Sequence, residues 1–118
     1  ISSEKTAEIR ILSSDELKNS YKFNNIVLKD TFDFDKIKGN AVIRSRREGD
    51  KADIHGGTKT LKKLFIEEKI PAEERNSVAV VSDDEGVVWV EGLGAARRAR
   101  TSEKTVNAAE IKIRRNIK

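Results

Sequence analysis

The residues of this 118-residue sequence whose types and spacing suggest chemistry are cations in three clusters. In "HGGTKTLKKLFIEEKIP", Lys59, Lys62 and Lys63 are spaced i, i+3, i+4, which on a helix puts them on one face, apart from the apolar stripe of Leu61, Leu64 and Phe65. A helix starting at Thr58 would offer unpaired amides, and Gly56 and Gly57 would let a phosphate approach the backbone closely. In "RSRREGDK", strand geometry puts Arg44 and Arg46 on one face and Ser45 and Arg47 on the other. Arginine can grip a phosphate through two parallel hydrogen bonds, so it anchors an ordered backbone better than lysine does. Arg97, Arg98 and Arg100 follow a Gly-rich loop as the third cluster. Together they favour a polyanion bound with counterion release, a nucleic acid above all. The rival reading is a docking face for an acidic protein surface, on another domain of the same polypeptide or on another subunit. A homodimer is compatible with either.

The charge order of the same stretch supports an anion. Its lysines crowd the expected helix start and Glu67 and Glu68 the end, against the helix macrodipole. Helix stability does not explain that order; a phosphate at the N-terminal end would.

Catalytic chemistry finds no foothold. With one histidine and no cysteine, the chain lacks the parts of a nucleophilic triad, a thiolate zinc site or a histidine-rich metal site. "GGTK" lacks the spacing of a phosphate loop, and "GLGAAR" lacks that of a dinucleotide fingerprint. Asp33 and Asp35 read as the solvated face of a strand, and Asp83, Asp84 and Glu85 as solvated turn residues, too closely set for a calcium loop. No catalytic residue, metal ligand or cofactor is therefore expected, and an independent enzyme is disfavoured. Trp89 reads as a packing residue, and the scarcity of other aromatics favours recognition of a folded RNA by backbone and shape over stacking on single-stranded bases.

The elements that must position the cations follow from periodicity. Charged residues make up 37% and hydrophobic residues 36% of the chain, which implies a modest core beneath a highly charged surface. The net charge of +4 conceals segregation: residues 70–93 carry one base and six acids, residues 94–118 eight bases and two acids. Alternation predicts strands in "AEIRIL", in 21–28 through Tyr21, Phe23, Ile26 and Leu28, in "TFDFD" and in "NAVIRSR". "SSDELKN" reads as a polar or helical turn with Ser14 as cap. A helix is predicted over about 58–69, capped by Thr58, with a helical turn after Pro71. "SVAVV" and "VVWV" flank a turn-rich "SDDEG" as a hairpin, and "VNAAEIKI" closes the chain as a strand. The expected fold is α+β, mostly antiparallel β with one main helix: 1–31 as a leader packed on the domain and 32–118 as the binding domain. No apolar run approaches a membrane span and no signal peptide is recognisable, so the expected location is cytoplasmic; a sequence without methionine suggests a piece of a longer protein.

The ordered succession of "RSRREGDK", "GGTKTLKKLFIEEKIPAEERN", "VAVVSDDEGVVWVEG" and a basic strand resembles the C-terminal domain of the tRNA(Ile)-lysidine synthetases, from about Phe32 to Ile113. The resemblance implies a compact, mostly β domain related to one in the phenylalanyl-tRNA synthetase β subunit. It also implies an enzyme that uses ATP to join lysine to the wobble cytidine of an isoleucine tRNA, with this region contacting the tRNA, chiefly its acceptor stem. ATP and Mg would belong to a catalytic domain of the same polypeptide, because the Ser-Gly-Gly-x-Asp-Ser loop that binds ATP is absent from this sequence. Matched by position, the family's Arg-x-Arg-x-x-Gly-Asp motif falls on Arg44, Arg46, Gly49 and Asp50. Its Gly-Thr-Lys and Lys-Lys-Leu elements fall on Gly57, Thr58, Lys59, Lys62, Lys63 and Leu64, and its Pro-x-x-x-Arg element on Pro71 and Arg75. The loop between Asp50 and Gly56 is shorter than in many members.

Overall fold

The computed structural model describes residues 5–21 and 30–115. The strand expected through Phe23, Ile26 and Leu28 lies outside them; Tyr21 ends a helix. The chain runs β1 (Lys5–Ser13), α1 (Ser14–Tyr21), β2 (Thr31–Asp33), a 3-10 turn (Phe34–Lys36), β3 (Val42–Ser45), β4 (Lys51–Asp53) and β5 (Thr58–Thr60). It continues with α2 (Leu61–Glu67), α3 (Ala72–Arg75), β6 (Ala79–Asp83), β7 (Gly86–Val90), β8 (Gly94–Ala95), a 3-10 turn (Arg97–Ala99) and β9 (Asn107–Arg115). Among the described residues every strand pairing is antiparallel, in sheets ordered β1-β9-β2, β3-β6-β7-β8 and β4-β5. The α+β expectation therefore holds.

The four-stranded sheet is the middle layer. Val80 and Val90 pair across it and pack, with Val78, Val87 and Leu93, against Leu61, Leu64 and Phe65 of α2. The predicted apolar stripe of the helix is thus buried, and removing the Phe65 ring would cost about 3–5 kcal/mol. On the opposite face, Val81 and Trp89 pack against Phe32, Ala109 and Ile111 of the three-stranded sheet. Val81 pairs with Trp89 but Ser82 with Val87, so Val88 is an extra residue. This bulge turns Val88 toward the same core as Trp89. Trp89 is buried packing, as its β-rich context suggests.

Four local expectations are corrected. Ser13, not Ser14, caps α1: the Glu16 N–H donates to its Oγ at 3.2 Å, and the Ser13 N–H donates to the Glu16 carboxylate at 3.4 Å, a capping box. "TFDFD" ends as a strand at Asp33, whose buried carboxylate accepts from the Asp35 N–H at 3.1 Å and starts a 3-10 turn. Asp33 also accepts from the Thr105 hydroxyl at 3.2 Å, so it is no solvated face residue. Neither is Asp83 a solvated turn acid, as its geometry below shows.

The fourth correction concerns the helix expected over 58–69. Thr58, Lys59 and Thr60 instead pair with Asp53, Ala52 and Lys51, which suits two β-branched residues, and the helix starts only at Leu61. Thr60 supplies the cap, its Oγ1 accepting from the Lys63 N–H at 3.2 Å. At the far end Ile70 N–H donates to Phe65 O at 2.9 Å and Lys69 N–H to Ile66 O at 3.1 Å, a Schellman stop. Lys69 occupies the left-handed position, φ 57°, where glycine is usual. The "one main helix" is therefore seven residues long, one shorter than α1.

Candidate nucleic-acid interface

The strand assignment of Lys59 separates the lysine triplet. Lys59 does not share a helix face with Lys62 and Lys63, because a strand residue ahead of the cap lies off the helical spacing. Its Nζ meets both Glu67 carboxylate oxygens at 3.1 Å, and His55 Nε2 lies 2.7 Å from Glu68 Oε1. The acids at the end of α2 are thus countered by bases of the preceding segment. That tertiary pairing accounts for the glutamates at the end of α2, whereas Lys62 and Lys63 at its start stay exposed. The Gly57 N–H is also committed, donating to Asp53 Oδ1 at 2.9 Å. Thr58 is exposed on β5.

Most arginines in the candidate set hold the fold together. Arg44 grips Asp50 through two nitrogens at 2.8 and 3.0 Å and donates to Ser82 Oγ at 3.2 Å. Burial pushes the Asp50 carboxyl up, but the Arg44 side chain and the Arg47 N–H outweigh it and hold the pKa below the usual carboxylate range. Arg46 donates to Asn76 Oδ1 at 3.0 Å and sits 5.9 Å from the Phe65 ring centroid, within cation–π range. Arg75 Nε donates to Ile70 O at 2.9 Å. Arg98 clasps Asp83 at 2.7 and 3.0 Å. Arg100 donates to the carbonyls of Ala95 and Ile54.

A different set of cations is free. Arg47, Lys62 and Lys63 are exposed and have no side-chain ion pair among the described residues; Lys51, which sequence reasoning did not single out, joins them. The fold gathers these four around one backbone contact, because Leu61 N–H donates to Asp50 O at 2.9 Å and docks the helix start onto the turn after Arg47. Asp50 organises both sides, accepting also from the Arg47 N–H at 2.8 Å. Lys51 further lines an open cleft of about 360 Å³ with Asp53, Thr58, Glu85, Arg97 and Arg98. Arg97 stands at its rim, mostly exposed, its Nε 3.5 Å from Asp53 Oδ2. The exposed positive charge therefore runs from α2 through Arg47 and Lys51 to Arg97, whose guanidinium is shared with Asp53. A signal for Lys51 existed in the sequence: in "DKAD" the small apolar Ala52 is the inward residue, which turns its neighbours outward.

Such an array can neutralise a polyanion. Among the described residues no group of acids and histidines is arranged to hold a metal ion, and no helix is long and apolar enough to cross a membrane.

Comparison with known proteins adds the family. The family model described as the TilS substrate C-terminal domain matches residues 41–113. The tRNA(Ile)-lysidine synthase of Clostridioides difficile is 39% identical over 104 residues, 88% of this chain and 22% of that protein. That of Caldanaerobacter subterraneus is 43% identical over 76 residues, 63% of this chain and 16% of that protein. The chain spans about a fifth of the length of these curated relatives. Among solved structures, a crystal structure of a TilS C-terminal domain superposes with a TM-score of 0.71 and 25% identity, covering 98% of this chain and 87% of that one. An N-terminal fragment of the phenylalanyl-tRNA synthetase β subunit from Pyrococcus horikoshii shares the fold, with a TM-score of 0.59, 18% identity and coverage of 92% of this chain and 38% of that fragment.

Proposed function

Because this chain belongs to the TilS substrate C-terminal domain family, we propose that it is the part of a tRNA(Ile)-lysidine synthase that grips the sugar-phosphate backbone of tRNA. On this reading it positions the acceptor stem while a catalytic domain of the same polypeptide attaches lysine to the wobble cytidine with ATP and Mg. The supporting observation is the gathering of Arg47, Lys51, Lys62 and Lys63, free of ion pairs among the described residues, beside the Leu61–Asp50 contact. Unpaired cations release the counterions of a nucleic acid without first breaking an internal salt bridge. Lys59, Arg44 and Arg98 would have to give up carboxylate partners to do so.

A second reading has one observation behind it. Ile66 is 53% exposed, three and four residues beyond Lys63 and Lys62, as an apolar centre for protein docking would be. A single isoleucine is a small centre for an interface, so the RNA reading is preferred. Titration of labelled tRNA with this chain, followed by fluorescence anisotropy, tests it. Saturable binding that weakens steeply with salt and is unchanged by Ile66→Ser is expected. Absence of saturable binding at low salt overturns the RNA reading, and loss of association with the remainder of the synthase in Ile66→Ser would favour docking.

A further inference from the structure

The cleft beside Lys51 carries a mixture of charge that a grip on phosphates alone does not use. Lys51 and Asp53 stand two residues apart on β4 and share a strand face, and Asp53 pairs with Thr58 of β5, so the short ribbon supplies one side of the cleft. Glu85 of the β6–β7 turn and Arg97 line it from other elements. Arg98 lines it too, but its guanidinium is committed to Asp83, at 2.7 and 3.0 Å, and to Gly86 O at 3.3 Å, so it is a fixed wall and not a free charge. The buried Ala52 and Val87 complete the lining with apolar surface.

Carboxylates repel phosphates, so Asp53 and Glu85 are unfavourable in a surface that only neutralises backbone charge. They are suited to accept hydrogen bonds from ribose hydroxyls, as acidic residues do in dinucleotide-binding folds. Glu85 is exposed and forms no ion pair among the described residues, and the Asp53–Arg97 pair is loose at 3.5 Å and partly solvated, so both acceptors are open to a ligand. The volume, about 360 Å³, is that of a small-ligand pocket, which admits a single nucleotide and excludes a base-paired duplex.

We propose that this cleft is a subsite for one unpaired ribonucleotide of the bound RNA. Its phosphate meets Lys51 and Arg97, its ribose hydroxyls donate to Asp53 and Glu85, and its base lies against the apolar lining. Lys51 belongs both to the cation array and to the cleft, so a strand leaving a duplex held by Arg47, Lys62 and Lys63 passes the cleft mouth. An unpaired nucleotide can be splayed out and read there, and its 2′ hydroxyl separates RNA from DNA. This inference rests on the RNA reading above and adds recognition of the ribose to it.

Fluorescence anisotropy with hairpin RNAs of one common stem tests it: a blunt hairpin, one with a short unpaired 3′ overhang, and one whose overhang is DNA. The chain should bind the ribose overhang about tenfold more tightly than either of the others, the effect of one hydrogen bond to a charged group. Glu85→Gln and Asp53→Asn should each bring the ribose and deoxyribose overhangs toward equal affinity. Loss of an acid beside a polyanion would by charge alone tighten all the hairpins alike, so the ratio isolates the hydroxyl contact. Should Asp53→Asn unfold, because Asp53 also accepts from the Gly57 N–H, the exposed turn residue Glu85 still decides the matter. Equal affinity for all the hairpins, or an unchanged ratio in a folded variant, overturns the inference and leaves the RNA reading standing. Saturable binding of none of them overturns both. CMP alone should not saturate the chain at millimolar concentration; if it does, the cleft belongs to a free nucleotide and the proposed occupant is wrong.

Discussion

Arg98 and Asp83 meet through two parallel hydrogen bonds, 2.7 and 3.0 Å long, on a carboxylate fully withdrawn from solvent. The same carboxylate accepts from the Lys38 N–H and the Glu85 N–H, each at 2.9 Å, so one side chain ties the loop before β3, the β6–β7 turn and the 3-10 turn at Arg97. Asp83→Ala would orphan two amides and a guanidinium. It should destabilise the chain by about 3 kcal/mol, read as a lowered urea midpoint at unchanged slope. The Lys38 loop has a second requirement. A Cβ on Gly39, φ +74°, would stand 1.8 Å from an Asp84 carboxylate oxygen, so Gly39→Ala should also destabilise.

The same clasp sets the response to acid. Burial pushes the Asp83 carboxyl up, but Arg98 and the two amides outweigh it and lower its pKa from 3.8 to about 2. Asp50 is lowered in the same direction by Arg44 and the Arg47 N–H, again against the effect of burial. A carboxyl whose folded pKa is depressed contributes stability that is fully present above its unfolded value and disappears as pH falls through the folded one. Urea midpoints measured from pH 6 downward should therefore hold level until about pH 4 and decline toward pH 2. In Asp83→Asn the decline should be shallower, from a lower starting stability.

Repeating units of polarity were legible in the sequence, and the partners of charges were not. The β6–β7 hairpin, the closing strand, the apolar stripe of α2 and the buried Trp89 all follow from local period and turn chemistry. The fate of an arginine depends on what the fold brings opposite it. Arg44 finds Asp50 six residues on, whereas Arg98 finds Asp83 across fifteen. Lys59 looked like a member of a helical triplet because i, i+3, i+4 spacing is a property of numbering, and only pairing with Ala52 shows it to be a strand residue. Basic composition marks the cation-rich regions, but which of their cations are free of internal partners emerges only from the salt bridges of the fold.

Lys69 pays the usual penalty of a side chain in the left-handed region, φ 57°, to complete the stop of α2. Lys69→Gly keeps both closing hydrogen bonds and removes that strain. A thermal midpoint raised by a gain of about 0.5–1 kcal/mol is expected, and a loss of stability would mean that the lysine side chain matters in its own right.

The start of α2 can be located by two threonines. Thr60→Ala should cost about 1 kcal/mol, since it leaves the Lys63 N–H without its acceptor. Thr58→Ala, on the exposed short strand β5, should cost a few tenths at most. The reverse order would restore a helix beginning at 58.

Lys59 and Glu67 form a partly exposed pair, so Lys59→Gln should change stability by less than about 1 kcal/mol and leave tRNA affinity nearly unaltered.

The salt dependence of tRNA binding tests the central claim most directly. With Arg47, Lys51, Lys62 and Lys63 all replaced by Gln, the chain should keep its fold, and the slope of log affinity against log salt should become shallower by about 3, as four phosphate contacts are lost. A slope equal to that of the wild type would contradict the assignment of these four residues as the grip on tRNA.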